Sequence, residues 1–206
     1  MDLSSQDCSS LCIIHVKQSS PDVFNLETSA GTFFLRSTYL EICNPDNLKE
    51  DSCFSDEYLE DLLRAGFCYI AEKKALDYLN RAEHSTFLLK NKLLAKGFSS
   101  EHIDKALKYL TAQNLLSDRR YAEAFLRNRS IRHYEGKSRL LQELAARGIS
   151  KSISETAVNE FFEDNDENLI LKKAVAKLKK TGINDEKLKQ RLLKSGFTWK
   201  QIEKNI

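Results

Sequence analysis

Leu93-Leu94-Ala95-Lys96-Gly97-Phe98-Ser99, Leu144-Ala145-Ala146-Arg147-Gly148-Ile149-Ser150 and Leu192-Leu193-Lys194-Ser195-Gly196-Phe197-Thr198 are one phrase written three times. Each begins with a Leu- or Ala-rich helical turn. It then passes a glycine and an apolar residue and closes on Ser or Thr. Glycine just past a helix takes the left-handed conformation that ends it, the apolar residue folds back, and the hydroxyl region caps the next helix. Each phrase therefore predicts a tight corner between two helices. The glycines lie 51 and 48 residues apart, a period that belongs to helical arrays.

Three helices are expected around each corner. The first set is Ala71–Asn80, Ser85–Lys96 and Ser100–Gln113. The second is Asp118–His133, Lys137–Arg147 and Lys151–Phe162. The third is Glu167–Lys180, Asp185–Ser195 and Thr198–Ile206. Ile103, Ala106, Leu107 and Leu110 fall at i, i+3, i+4 and i+7, as do Leu171, Ala174, Val175 and Leu178. Such thin bundles need neighbours to cover them. Three in a row would form an elongated, curved body on the order of 60–80 Å long.

The first 50 or so residues read differently. Cys12–Lys17, Val23–Glu27 and Thr32–Arg36 are short Ile-, Val- and Phe-rich runs, and Gly31 can turn the chain. They predict a β-hairpin or three-stranded meander. Asn44-Pro45-Asp46 closes it, and a helix capped by Ser55 should run from there to a stop at Gly66. The fold class is thus mainly α. A strand-containing segment with one helix (1–66) precedes three-helix modules at 67–115, 116–163 and 164–206.

Two prolines and seven glycines leave few helix breakers. No run approaches the ~20 apolar residues of a membrane span, and Met1–Ser10 has no signal-peptide pattern. The cysteines Cys8, Cys12, Cys43, Cys53 and Cys68 include no Cys-x-x-Cys pair and read as reduced thiols of a cytoplasmic protein. No catalytic, metal or cofactor constellation emerges. Gly136-Lys137-Ser138 resembles the end of a phosphate-binding loop, but the required earlier glycine is Ile131. His15, His84, His102 and His133 are scattered. A binding protein is expected rather than an enzyme.

Charge says what it would bind. The net of +2 conceals −8 over residues 1–70 and +10 over residues 71–206. Residues 117–148 carry eight Lys/Arg against four Asp/Glu. Arg120, Arg127, Arg132, Lys137, Arg139 and Arg147 are candidate partner contacts, since arginine pairs bidentately with phosphate or carboxylate. Arg120 and Arg127 share a helix face opposite the apolar residues Tyr121, Ala122, Phe125 and Leu126. Arg129 falls on the apolar side and is read, with Asp118, as holding the fold. Lys173 and Lys177 represent a lysine-rich helix in the third module. Tyr109 and Tyr134 could stack on bases or simply edge the core.

Several motifs together resemble one known family. They are Ala75-Leu76-x-Tyr78-Leu79-x-Arg81 followed by Ser85, and Lys92-Leu93-Leu94-x-Lys96-Gly97-Phe98. Leu116-Ser117-Asp118-x-x-Tyr121-Ala122-x-x-Phe125-x-x-x-Arg129 and Gly136-Lys137-x-Arg139-Leu140-x-x-Glu143-Leu144-x-x-Arg147-Gly148-Ile149 complete the set. In this order and period they resemble the RecX family over about residues 70–206. The resemblance implies a modulator that binds in the groove of the RecA–single-stranded-DNA filament. It also implies suppression of ATPase, strand exchange and co-protease activity, and contact with single-stranded DNA, with double-stranded DNA left open. A monomer is expected. The competing reading is a tandem helix-turn-helix protein that binds DNA directly, although no short helix here concentrates Asn, Gln and Arg for base edges.

Overall fold

The computed structural model describes residues 10–206, so Cys8 lies outside the described residues. The chain divides into two compact units, Met1–Asn80 with Lys90–Leu115, and Arg81–Leu89 with Leu116–Ile206.

In the first unit β1 (Leu11–Ser20), β2 (Val23–Thr28) and β3 (Gly31–Arg36) form the antiparallel meander that the alternation demanded. Thr28 pairs with Gly31 across the tight turn, and Gly31 has φ +128°. A fourth strand of two residues, β4 (Cys53–Phe54), adds to β1 and gives the order β3-β2-β1-β4. It was too short for any periodicity to reveal. Cys12 and Cys53 are direct partners in this pairing and form a disulfide. The expectation of five free thiols is therefore corrected for these two. They lie 41 residues apart, so only the strand pairing brings them together. Cys43 and Cys68 are free and buried, and burial pushes the Cys68 thiol up to about 11.

Helix α1 (Asp56–Leu79) runs unbroken through Gly66, so the expected stop there is also corrected. A Cβ at Gly66 would sit 3.2 Å from the Phe33 ring and 3.6 Å from the Phe34 carbonyl. The glycine lets the helix lie close on β3, at the ~1 kcal/mol a helical glycine costs. Ser55 does stand at the N-cap position, but its hydroxyl bonds the Asp56 carboxylate rather than a backbone N–H. Leu62, Ala65 and Cys68 of α1 pack on Leu11, Ile13, Leu26 and Leu35 of the sheet.

A buried polar knot fastens these layers. The Arg36 guanidinium donates to Glu72 at 2.8 and 2.6 Å and pairs with Asp22, while its carbon lies 4.3 Å from the Tyr109 ring centre. Tyr39 donates its hydroxyl to Glu72 at 2.8 Å. Burial and the neighbouring Glu72 charge both push the Tyr39 phenol pKa up. Helix α3 (Ser100–Ala112) supplies Tyr109 and packs on α1. The ring is thus an edge of this core and is taken by Arg36.

The second unit holds two bundles. Helices α4 (Asp118–Ser130), α5 (Lys137–Ala145) and α6 (Lys151–Asp164) enclose Ala122, Leu126, Leu140, Leu144, Ala157 and Val158. Helices α7 (Glu167–Lys179), α8 (Asp185–Lys194) and α9 (Trp199–Glu203) enclose Leu171, Val175, Leu188, Leu192, Phe197 and Ile202. Helix α2 (Thr86–Leu94) starts within this unit's residues.

All three corners form as the phrase predicts. Gly97, Gly148 and Gly196 have φ +87°, +76° and +90°. Phe98, Ile149 and Phe197 donate their N–H back to Leu93, Leu144 and Leu192. Ser99, Ser150 and Thr198 accept from the N–H three residues on. Within the second unit the corners also share a seat. Ser85, just before α2, donates its hydroxyl to the Arg147 carbonyl at 2.8 Å. Gly136, just before α5, donates its N–H to the Ser195 carbonyl at 2.9 Å. Each corner thus rests on the start of the middle helix one module earlier.

Candidate functional site

The basic stretch 117–148 folds into a charge ladder more than a row of free cations. Glu135, Arg139, Glu143 and Arg147 follow one another at four-residue spacing, so α5 and its flanks place them along one face. Glu143 Oε1 is 2.5 Å from Arg139 and 3.3 Å from Arg129, and its Oε2 is 2.7 Å from Arg147. Glu135 holds Arg129 at 2.5 Å. Burial alone would raise the Glu143 pKa, but the Arg147 hydrogen bond and the charges of Arg129, Arg139 and Arg147 bring it below the usual carboxylate value. The Arg147 guanidinium also donates to the Glu143 carbonyl at 2.6 Å and covers the Phe125 ring at 4.4 Å.

The ladder decides which predicted contacts remain available. Arg139 and Arg147 belong to it. Arg120 is held by Glu83 at 2.9 Å. Lys137 reaches Asn159 at 3.4 Å and lies over the Phe162 ring. Lys177 donates to the Arg132 carbonyl at 3.3 Å and lies over Tyr134, so that ring too is shared with a cation. Arg127, Arg132 and Lys173 are exposed and have no acidic partner among the described residues. Arg127 borders a groove of about 450 Å³ between α4 and α6. Arg129 serves the fold, as its apolar-side position suggested. Asp118 does too: its carboxylate accepts the Thr86 N–H at 2.7 Å, capping α2.

Gly136-Lys137-Ser138 has a packing explanation. A Cβ on Gly136 would lie 2.5 Å from the Gly196 carbonyl oxygen. The glycine admits the third module's corner.

Residues 164–206 contrast with the second module. They hold eleven Lys/Arg against six Asp/Glu, and among the described residues none of these cations joins an ion pair. Counting cations favoured the second module. Counting carboxylates four residues away would have favoured the third. An open cleft of about 670 Å³ between α5 and α8 gathers Arg139, Arg191 and Lys194 at its rim.

Tandem three-helix modules that follow a small antiparallel sheet in the chain, with cations left over on the last module, define a helical-repeat protein. Models of the RecX first and second three-helix domains match residues 71–110 and 117–158. Regulatory protein RecX of Treponema pallidum is 32% identical over 144 residues, covering 70% of this chain and 88% of the relative. That of Haemophilus influenzae (strain PittEE) is 39% identical over 102 residues, covering 48% and 66%. A crystal structure of a regulatory protein RecX superposes with TM-score 0.74 at 21% identity, covering 94% of this chain and 97% of the other. The chain belongs to the RecX family of regulatory proteins.

Proposed function

We propose that this chain is a non-enzymatic inhibitor of the RecA recombinase, acting in the cytoplasm on the filament that RecA forms along single-stranded DNA. Lying in the filament groove, it would oppose the protomer movements that accompany ATP turnover. Strand exchange and co-protease activity would fall with them. The observation that carries this is the distribution of unspent charge. Module-two arginines lock one another through Glu135 and Glu143, while Arg127, Arg132, Lys173 and, Lys177 apart, the cations of α7 and α8 join no ion pair among the described residues. A stiff scaffold with cations on its surface suits a long acidic ligand.

RecA ATPase on single-stranded DNA tests it. Added chain should lower the rate, and Arg127→Glu with Lys173→Glu should relieve the inhibition. An unchanged rate together with no co-sedimentation of chain and filament would remove the proposal.

A further inference from the structure

The third module carries two aromatic side chains, and they are treated in opposite ways. Phe197 is buried in the corner, whereas Trp199, the only tryptophan of the chain, is 49% exposed. The backbone that carries the indole is nonetheless well fixed. Thr198 and Gln201 form a reciprocal capping box around it, and Phe197 and Ile202 anchor the backbone on either side. The Lys189 ammonium lies 5.3 Å from the ring centre, so part of the indole is covered by a cation that has no carboxylate partner among the described residues. Lys200, next in the chain, is exposed and likewise unpaired among the described residues.

A large ring kept wet beside unneutralised cations asks for a ligand with both a flat π face and negative charge. An acidic peptide would answer the charges but leave the indole wet. Duplex DNA would answer the charges, but its bases are stacked on one another. A single strand offers both, since an unpaired base can stack while its phosphates meet the cations. Indole and ammonium together favour this, because cation and ring act on the same nucleotide.

We infer that Trp199 is a stacking platform for an unpaired nucleobase, with Lys189 over the ring and Lys200 beside it holding the adjoining phosphates. The inference rests on the proposed function, in which single-stranded DNA is the filament's core, and gives the third module a preference for single strands over duplex. Tyr109 and Tyr134, open from the sequence to either base stacking or a core edge, have their rings covered by Arg36 and Lys177.

Because Trp199 is the sole tryptophan, its fluorescence reports on the site directly. Titration of the whole chain with short oligothymidylate should quench the emission saturably, and an equal length of duplex should not. Followed by the anisotropy of a dye-labelled oligothymidylate, Trp199→Ala should weaken single-strand binding about 5- to 100-fold, the range seen for one stacked base, and Trp199→Phe should recover most of it. Circular dichroism checks that both variants fold. Equal quenching by duplex or by polyglutamate, or full affinity in Trp199→Ala, would overturn the inference. The RecA ATPase assay separates the two claims. Inhibition without quenching sinks the platform alone, and quenching without inhibition sinks the proposed function alone.

Discussion

Three glycines with the same left-handed backbone should respond unequally to one methyl group. Gly97, Gly148 and Gly196 share φ values of +76° to +90°, so Ala at any of them pays the same backbone strain. That strain is about 1–2 kcal/mol. The loss of freedom in the unfolded chain returns about 0.4–1 kcal/mol. Gly97→Ala should therefore cost only ~1 kcal/mol, because nothing lies within 4 Å of its would-be Cβ. At Gly148 the Cβ would press into the Phe87 side chain at its root, closer than 3.0 Å. At Gly196 it would meet the Arg139 backbone nitrogen, closer still than its 2.6 Å approach to the Arg139 Cβ. Neither obstacle is the flexible end of a side chain, so overpacking adds about 1–3 kcal/mol. Gly148→Ala and Gly196→Ala should each cost ~3 kcal/mol in the second unit. Urea unfolding of the three variants, followed by circular dichroism for the whole chain and by Trp199 emission for the third module, gives the comparison. Gly136→Ala attacks the same seat as Gly196→Ala, so the double variant should cost clearly less than the two singles together. Equal destabilisation by Gly97→Ala and Gly196→Ala would refute the claim that corners dock on the preceding module.

Three shorter predictions follow from other parts of the molecule. Reducing Cys12–Cys53, or replacing Cys53 by Ser, should lower the first unit's stability by up to about 4 kcal/mol for a loop of 41 residues, read as a shift in its urea midpoint with and without a dithiol. Arg129→Met leaves Glu135 and Glu143 short of a partner inside the second unit and should cost ~2–4 kcal/mol, whereas exposed Arg127→Met should lie within about 0.5 kcal/mol of wild type. Asp61 and Glu143 both have folded pKa values below their ordinary 3.8 and 4.5. At Asp61 burial opposes the shift but the N–H groups of Cys43, Ile42 and Glu41 and the Arg64 guanidinium outweigh it. A depressed folded pKa stabilises above the unfolded value and is lost on acidification, so melting temperature should hold near neutrality and fall below about pH 4.5, with Glu143→Gln flattening that fall.

The helical array was legible because its signals are local. A glycine followed by an apolar residue and a hydroxyl fixes a corner within five residues, and every predicted helix start from Ser100 to Asp185 coincides with the observed one. What escaped depends on pairing at a distance. Strand β4 exists only because β1 offers an edge, and the disulfide follows from that pairing. Gly66 looks like a stop until Phe33 is seen beside it. The Arg36–Glu72 knot joins residues 36 apart with no pattern between them.

The basic surface shows a subtler case, because the information was present but weighed wrongly. Arginine marks both partner contacts and internal struts, and the two uses differ in whether a carboxylate stands within reach. Glu135 and Glu143 stand one helical turn from Arg139 and Arg147, and Arg129 reaches both from α4. The second module therefore spends most of its arginines on rigidity. In the third module Asp185 and Glu186 sit in the first turn of α8, where they face the positive end of that helix, and leave Arg191 and Lys194 unpaired at the other end. Net charge per segment ranks the second module as the binding surface, and partner availability ranks the third. For a ligand that must displace whatever a cation already holds, availability is the quantity that enters the binding free energy. If the proposed function holds, charge reversal at Arg191 and Lys194 should weaken co-sedimentation with the RecA filament more than reversal at Arg139 and Arg147, and any folding defect should follow the opposite order.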